Sequence, residues 1–418
     1  MKCLEIEQAK KLTGTVRISG AKNAAVALIP AAILADTGEV TICNVPDITD
    51  TDNLCDILKH LNVEAKRASE SVLINAQKMK NIEISEEFSV KMRASYYFMG
   101  ALLAKYKKAV MYFPGGCAIG KRPINLHLKG FEALGAKVTN EGNKYTVEAD
   151  ELKGSNIYLD IASVGATINI MLAAVKAKGI TIIDNAAKEP EIVNVAVFLN
   201  SMGAKITGAG TSTIRIEGVD SLHGAFHEVI PDRIEAGTFL IAGALAGDNL
   251  KIDNIIPEHL ESLLSKLDEV GVPLEIGDDY VVVSKSDSYH RTNIITRVYP
   301  GFPTDLQQPF TVLLTQAEGK STVEETIWEN RFMHAPYLEK LGANVEVKDK
   351  KLIVIGKTPL IGTTVKATDL RAGAAMVVAA LIAEGKTQIE DAEHILRGYE
   401  GIVEKLTNVG AKIELKEI

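Results

Sequence analysis

Residues 164–183 read VGATINIMLAAVKAKGITII, and this stretch decides the fold. The segment from Val164 to Ala177 is apolar around nearly its whole helical circumference, which is typical of a helix buried on all sides. Gly179 ends this helix, and Ile180-Thr181-Ile182-Ile183 follows as a short strand. The stretch therefore predicts a helix enclosed by sheets.

Five more segments of the same kind occur along the chain, at Ala24 to Ala35, Ala94 to Ala104, Ala236 to Ala246, Phe310 to Ala317 and Ala372 to Ala383. A short motif such as Leu134-Gly135-Ala136 recurs about every 70 residues. Alternating residues such as Thr213 to Glu217 follow the motif and predict a strand. Between the apolar helix and the motif lies an amphipathic helix, such as Asp52 to Leu61.

This repetition predicts an α/β protein of two inside-out domains, each made of three βαβαββ-type repeats around buried parallel helices. The first domain is expected at residues 22–229, and the second at residues 1–21 together with 230–418. The break is placed near Val229-Ile230-Pro231-Asp232. Leu4 to Ile18 is expected to form two strands that complete a sheet of the second domain.

Composition limits the partners and the compartment. The 418 residues include 46 basic and 54 acidic ones, a net charge of −8, which argues against general binding to nucleic acid or a membrane surface. The cysteines, Cys3, Cys43, Cys55 and Cys117, have neither metal-site nor disulfide spacing, so a reducing cytoplasm is expected. Neither a signal peptide nor a membrane-spanning run is expected.

A glycine-rich loop from Pro114 to Pro123 contains Cys117 and, near its end, Lys121 and Arg122. The cations favour a reactive thiolate and attract anions, although a surface turn with an incidental thiol explains the loop about equally well. Arg122 stands where a phosphate-binding loop of nucleotide triphosphatases needs Ser or Thr, which argues against that class. The histidines show no metal-ligand spacing.

Polar residues recur where the apolar helices begin: Lys22-Asn23, Lys91 with Arg93, Ser163, Arg233 with Glu235, Asp305, and Asp369 with Arg371. Parallel helices would place these residues on one face, where unpaired N–H groups suit an anion. Ordinary capping is the alternative, and it explains Asp305 and Asp369 well. It explains Lys22, Arg93 and Arg371 poorly, because a cation at a helix N-terminus opposes the dipole.

Seven motifs together carry a family resemblance: Gly20-Ala21-Lys22-Asn23-Ala24, Pro114 to Pro123, Pro231 to Glu235, Pro300 to Asp305, Glu329 to His334, Asp369 to Ala372, and Arg397 to Glu400. They span essentially the whole chain. On these motifs the chain resembles the UDP-N-acetylglucosamine 1-carboxyvinyltransferases, enolpyruvyl transferases of the EPSP synthase superfamily.

The resemblance implies an active site in the cleft between the two domains. It implies transfer of enolpyruvyl from phosphoenolpyruvate to the 3′-hydroxyl of UDP-N-acetylglucosamine, through a tetrahedral ketal and with release of phosphate, as the step that opens bacterial peptidoglycan synthesis. No metal, organic cofactor, nucleic acid or membrane is expected to take part. The alternatives are a 3-phosphoshikimate 1-carboxyvinyltransferase-like enzyme, a non-catalytic paralogue that binds UDP-sugars, and an RNA-terminus enzyme built from related repeats.

The resemblance also implies roles for residues, with Cys117, Asp305, Lys22 and Arg397 as the catalytic set. Cys117 would deliver a proton to C3 or assist product release, and can form an adduct with phosphoenolpyruvate; Asp305 would orient or deprotonate the attacking hydroxyl. Phosphoenolpyruvate would be held at its phosphate by Lys22, Arg122 and Arg397, at its carboxylate by Arg331 and Arg371, and by Asn23. The UDP-sugar would contact Asn23, Arg93, Arg122, Pro123, Ile124, Asn125, Leu126, Ser163, Val164, Gly165, Asp305 and Ile327.

Two further expectations come from the resemblance. Some relatives carry a lysine near the nucleotide phosphates where this chain has Ile161, which should weaken nucleotide binding modestly. The phosphonate epoxide fosfomycin, an anion similar to phosphoenolpyruvate, is expected to alkylate Cys117.

Overall fold

The computed structural model of the protein describes residues 2–112 and 124–417, which form two compact units. The N-terminal unit comprises residues 20–112 and 124–230, and the C-terminal unit comprises residues 2–19 and 231–417. Within the described residues the chain changes unit after Ser19 and after Ile230.

The described helices are short, with four to fourteen residues each. They are α1 Lys22–Ala31, α2 Thr49–His60, α3 Glu86–Lys91, α4 Tyr97–Tyr106, α5 Asn125–Ala133, α6 Val164–Ala174, α7 Pro190–Ser201, α8 Arg233–Ala246, α9 Glu261–Val270, α10 Gln307–Leu314, α11 Ala335–Lys340, α12 Leu370–Ile382, α13 Glu393–Leu396 and α14 Ile402–Asn408. Single 3₁₀ turns lie at Ala32–Leu34, Arg93–Tyr96, Pro257–Leu260 and Thr304–Leu306. Among the described residues, no helix has the length and apolar character needed to cross a membrane.

The strands are three to six residues long: β1 Lys2–Glu7, β2 Thr15–Arg17, β3 Val40–Cys43, β4 Glu64–Ala68, β5 Ser71–Asn75, β6 Lys108–Tyr112, β7 Lys137–Glu141, β8 Lys144–Glu148, β9 Asn156–Tyr158, β10 Ile180–Asp184, β11 Lys205–Thr207, β12 Thr213–Glu217, β13 Phe226–Glu228, β14 Leu250–Asp253, β15 Leu274–Ile276, β16 Tyr280–Val283, β17 Asn293–Ile295, β18 Gly319–Glu324, β19 Asn344–Lys348, β20 Lys351–Gly356, β21 Thr364–Lys366, β22 Lys386–Glu390 and β23 Ile413–Glu417.

One complete repeat runs from β9 to β12. Its sheet has the strand order β11, β12, β10, β9, in which β9 is parallel to β10 and β12 is antiparallel to both of its neighbours. The buried helix α6 makes the crossover between the parallel strands, and the amphipathic position is taken by α7. This is the βαβαββ unit that the sequence predicts, and the predicted fold class is confirmed.

Two repeats exchange their first strands between the units. Strand β2 precedes α1 but pairs in parallel with β14, whereas β13 precedes α8 but pairs in parallel with β3. Each change of unit therefore falls between a strand and the helix that follows it. The first strand of the chain, β1, lies between β22 and β23 in a sheet of the C-terminal unit.

All six predicted apolar helices are present and almost wholly buried, as α1, α4, α6, α8, α10 and α12. In the C-terminal unit α8, α10 and α12 pack against one another, and in the N-terminal unit α4 packs against α1 and α6. Small residues permit this close packing. A Cβ atom added at Gly100 of α4 would lie 2.3 Å from the backbone oxygen of Asn169 in α6, so only glycine fits there.

Candidate active site

The starts of three buried helices lie together in the C-terminal unit. Asp232 caps α8, its carboxylate accepting from Ile234 N at 2.8 Å, and Asp369 caps α12, accepting from Arg371 N at 2.8 Å. A Cβ atom at Gly237 near the start of α8 would lie 2.4 Å from Leu306, the residue before α10. The helix N-termini of this unit therefore share one face.

Asp305 joins two of the predicted arginines at this face. Arg331 Nη2 donates to Asp305 Oδ1 at 2.7 Å, and Arg371 Nε donates to Asp305 Oδ2 at 3.1 Å. Both arginines are only 4% exposed. Capping is therefore an adequate explanation for Asp369 but not for Asp305, whose two oxygens bridge two guanidinium groups.

Two glutamines at the start of α10 position Arg331. Gln307 Nε2 donates to the backbone oxygen of Arg331 at 3.0 Å. With the Gln308 amide in the orientation that its neighbours require, its oxygen accepts from Arg331 Nε at 2.7 Å and its nitrogen donates to Thr304 O at 3.1 Å. Both glutamines are fully buried. They fix the direction of the Arg331 guanidinium without altering its charge.

Arg371 lies against Tyr399. The guanidinium carbon is 5.4 Å from the centre of the tyrosine ring, within the range of a cation–π contact. The Tyr399 hydroxyl is 2.9 Å from Thr238 Oγ1 of α8. Burial raises the pKa of Tyr399, which therefore stays neutral beside the cation.

Other residues predicted for the site in this unit lie close to these residues in the sequence. Arg397 is half-buried at the end of α13, two residues before Tyr399, and Ile327 is half-buried with its N–H donating to Glu325 Oε1 at 2.8 Å. His334 is fully buried next to the Arg331 motif. Burial, assisted by the charge of Arg331, lowers the pKa of His334 to about 3, so this ring is neutral at physiological pH.

In the N-terminal unit, Lys22 and Asn23 open α1 and are half-buried. Lys22 Nζ lies 3.0 Å from Asp50 Oδ2, and the Asp50 side chain is only 3% exposed. The sequence suggested that a cation at this helix start holds an anionic ligand. Asp50 offsets part of that charge, so the cation does not by itself require a ligand.

A second cluster of this unit links α4, α5 and α6. Asn169 Nδ2 donates to the Tyr96 backbone oxygen and to His127 Nδ1, each at 3.0 Å, which leaves the His127 proton on Nε2. A Cβ atom at Gly165 would lie 2.8 Å from the Tyr96 hydroxyl and 3.3 Å from His127 Nε2. Burial, with a contribution from Arg93, lowers the pKa of His127 to about 3.

Most of the predicted UDP-sugar residues adjoin this second cluster. Arg93 begins the 3₁₀ turn before α4, and Ile124, Asn125 and Leu126 begin α5. Ser163 caps α6 by accepting from Ala166 N at 3.2 Å, and Val164 and Gly165 form its first turn. Just before them, the side chain of Ile161 is 67% exposed.

Three predicted site residues, Cys117, Arg122 and Pro123, lie outside the described residues. Within residues 2–112 and 124–417, no group of three or more His, Cys, Asp or Glu side chains could hold a metal ion. Cys3, Cys43 and Cys55 are free thiols. Burial raises the pKa of the Cys55 thiol, which disfavours the reactive thiolate.

Sequence reasoning missed several residues that hold this site in place. Asp50, Asn169, Gln308 and Tyr399 received no role, although each is buried and polar or contacts a predicted residue. For Gln308 a signal existed, because two adjacent glutamines stand immediately before an apolar helical segment. Asn169 likewise interrupts the otherwise apolar segment from Val164 to Ala177.

The two units of repeated α/β structure carry arginines, a lysine and acids at the helix starts. These features agree with the resemblance to the EPSP synthase superfamily. The model of the family described as EPSP synthase (3-phosphoshikimate 1-carboxyvinyltransferase) matches residues 6–406. The chain belongs to this family.

Particular relatives are similar over nearly their whole length. The UDP-N-acetylglucosamine 1-carboxyvinyltransferase 2 of Listeria monocytogenes is 53% identical over 410 residues, covering 98% of this chain and 97% of that protein. Its namesake from Bacillus cereus is 54% identical over 414 residues, covering 99% and 96%.

Two solved structures have a fold similar to that of this chain. The enolpyruvyl transferase NikO from Streptomyces tendae has a TM-score of 0.91 at 29% identity, covering 99% of each chain. An EPSP synthase from Acinetobacter baumannii has a TM-score of 0.76 at 17% identity over 100% of both chains, and at this identity it supports the fold alone.

Proposed function

We propose that this protein transfers enolpyruvyl from phosphoenolpyruvate to the 3′-hydroxyl of UDP-N-acetylglucosamine and releases phosphate. The observation that carries this proposal is the full-length identity of 53–54% with proteins named for that reaction. The shikimate alternative has weaker support, because the EPSP synthase structures are only 17% identical to this chain. A non-catalytic paralogue is disfavoured because Asp305 and Cys117 are both retained.

The clusters at the helix starts support a division of roles. In the C-terminal unit, the buried pair Arg331 and Arg371 suits the planar carboxylate of phosphoenolpyruvate, because guanidinium groups bind carboxylates through paired N–H donors. Arg397 adds a cation for the phosphate. We propose that Lys22 and Asn23 of the N-terminal unit act on the same substrate, which requires both units to contribute to one cleft.

The nucleotide-sugar is proposed to bind at the starts of α4, α5 and α6. The N–H groups of Val164 and Gly165 in the first turn of α6 suit a diphosphate, since helix N-termini favour anions. Arg93 supplies a nearby cation. The exposed Ile161 side chain stands where a lysine would add another, which supports modestly weaker binding of the nucleotide.

The proposed chemistry is an addition followed by an elimination. The hydroxyl O–H bond breaks, its proton passes to Asp305, and the oxygen electron pair forms a bond to C2 of phosphoenolpyruvate. The C2=C3 electron pair takes a proton at C3, for which Cys117 is the proposed donor. The Cys117 thiolate left by this donation then takes a proton back from C3, and the C–H electron pair restores the C2=C3 double bond. The C2–O bond to phosphate breaks, phosphate leaves with that electron pair, and the proton held by Asp305 passes to the released phosphate.

One assay tests the proposal. The protein should release phosphate from phosphoenolpyruvate when UDP-N-acetylglucosamine is present and should release none with shikimate 3-phosphate. Release with shikimate 3-phosphate instead would favour the alternative enzyme, and release with neither acceptor would favour the paralogue that only binds. The cytoplasm is the proposed location, because free thiols at Cys3, Cys43 and Cys55 suit a reducing compartment.

A further inference from the structure

We propose that the Asp305 carboxylate acts as an internal ligand of Arg331 and Arg371. It occupies the site at which the carboxylate of phosphoenolpyruvate binds, and it is released when that substrate binds. This inference rests on the proposed function. It adds to that function a coupling between substrate binding and the availability of the base.

The geometry of the pair carries the inference. Arg331 Nη2 and Arg371 Nε donate to different oxygens of Asp305, at 2.7 Å and 3.1 Å. One carboxylate thus bridges two guanidinium groups, which is the arrangement proposed for the substrate carboxylate. The arginine side chains are 4–5% exposed whereas the Asp305 side chain is 26% exposed, so it is Asp305 that has room to move.

Uncharged side chains also contact both arginines. Gln308 accepts from Arg331 Nε at 2.7 Å, and the Tyr399 ring lies 5.4 Å from the Arg371 guanidinium. These contacts persist when the ionic partner changes, so the two cations stay oriented for an incoming carboxylate. Asp232 also acts on Arg371 electrostatically, but its Oδ1 is committed to the N-terminus of α8.

The exchange has a consequence for catalysis. A carboxylate that accepts hydrogen bonds from two arginines is a weaker proton acceptor than one that has been released from them. Asp305 therefore becomes an effective base for the hydroxyl only after phosphoenolpyruvate has taken its place. The acceptor hydroxyl is then activated only when the electrophile is already bound.

Equilibrium binding of phosphoenolpyruvate tests the exchange. Measurements use a Cys117→Ser background, which prevents covalent adduct formation. Asp305→Asn keeps the shape of the side chain but removes its charge, so the dissociation constant of phosphoenolpyruvate should fall by about tenfold, the weight of one or two charge-assisted hydrogen bonds. Asp305→Ser serves the same purpose should the first variant not fold. Unchanged or weaker binding in a folded variant would overturn the proposal.

Two controls distinguish this exchange from simple electrostatic repulsion between Asp305 and the phosphoenolpyruvate anion. Asp369→Asn removes a charge beside Arg371, but the contacts of Asp369 are to the backbone N–H groups of Arg371 and Ala372, so binding should change by less than about twofold. When Arg331 and Arg371 are both replaced by Gln, the added Asp305→Asn change should also matter by less than about twofold. A tenfold effect in that background would show repulsion rather than exchange.

The same proteins distinguish this inference from the proposed function. Absence of phosphate release by the wild type with UDP-N-acetylglucosamine refutes the function, whatever the binding results. Normal release by the wild type, with no tightening in Asp305→Asn, refutes only the exchange.

Discussion

At the scale of single residues, two groups of charges in the candidate site are already paired within their own units. Lys22 contacts Asp50, and Asp305 contacts Arg331 and Arg371. Side chains of this kind cannot be buried unpaired, because desolvation of an isolated charge costs several kcal/mol. A substrate that binds Lys22, Arg331 or Arg371 must therefore replace an existing contact.

The first prediction concerns Lys22. Lys22→Ala should weaken phosphoenolpyruvate binding and lower turnover by about 10²-fold or more, because a cation at the phosphate stabilises charge that develops during the reaction. Steady-state phosphate release over a range of phosphoenolpyruvate concentrations measures both effects. Lys59→Ala is the matched control, since Lys59 is exposed and paired with Asp56, and it should change neither. A fall in turnover of equal size in both variants would contradict the role of Lys22.

A second prediction concerns the thiols. Fosfomycin should label Cys117 and leave Cys55 unlabelled, because burial raises the pKa of Cys55. Cys117→Asp should retain turnover while resisting fosfomycin, since it keeps an acid but loses the nucleophile, and Cys117→Ala should be severely impaired. Peptide mapping of the inhibited wild type locates the label. Label on another cysteine, with Cys117→Asp still inactivated, would remove the loop from the mechanism.

At the scale of elements, the buried helices depend on a few polar insertions. Asn169 of α6 stands between Tyr96 and α4: its Oδ1 accepts from Gly100 N at 2.9 Å, and its Nδ2 donates to Tyr96 O at 3.0 Å. The amide thereby bridges the N–H and C=O groups that an unbroken helix would join directly. It stabilises the junction between the 3₁₀ turn and α4 beside the proposed nucleotide site.

The third prediction tests this insertion. Asn169→Leu should lower the free energy of unfolding by about 2–4 kcal/mol, because it leaves buried backbone groups and His127 without their partner. It should also weaken UDP-N-acetylglucosamine binding. Asn140→Leu, at an exposed position of β7, should cost less than about 0.5 kcal/mol. Urea unfolding measures both, and equal midpoints for the two variants would refute the role of Asn169.

At the scale of the whole molecule, buried histidines make stability depend on pH. The folded pKa of His334 is about 3, below its ordinary value of 6.5, so between these values the unfolded state binds the proton and the folded state does not. Stability is therefore full above pH 6.5 and is lost as pH falls toward 3. His127 acts in the same direction.

The fourth prediction follows from this linkage. Lowering the pH from 6.5 to 5 should cost the wild type about 2 kcal/mol through His334, and His334→Phe should lose less by that amount. The exposed His290→Gln is the control and should behave as the wild type. Glu235, whose pKa burial raises to about 7 beside Lys405, contributes the opposite slope from pH 4.5 to 7, so variants are compared at matched pH. An identical acid loss in wild type and His334→Phe would refute the assignment.

The fifth prediction concerns closure. The proposed cleft needs residues of both units, so UDP-N-acetylglucosamine should bring the units together and protect the segment 114–123 from limited proteolysis. Small-angle scattering should show compaction on binding. Cleavage at an unchanged rate, with no compaction, would contradict closure.

The sequence by itself determined the fold class, because six apolar helices, most of them followed by a glycine stop, alternate with short strands in a repeat whose apolar helices must be enclosed. The residues of the candidate site could also be nominated from sequence, through the polar positions at helix starts and the family motifs. What these patterns could not show is which of the nominated residues contact one another.

Only the tertiary structure decided the pairings. Asp305 and Arg331 lie in one repeat and Arg371 lies in the next, and their contact depends on how α10 and α12 pack, which no local pattern encodes. The strands that β2 and β13 pair with, β14 and β3, were likewise not visible in the sequence, because the residues of a short strand do not specify its neighbour in the sheet. Local periodicity determines elements, whereas long-range packing determines which charges compensate each other.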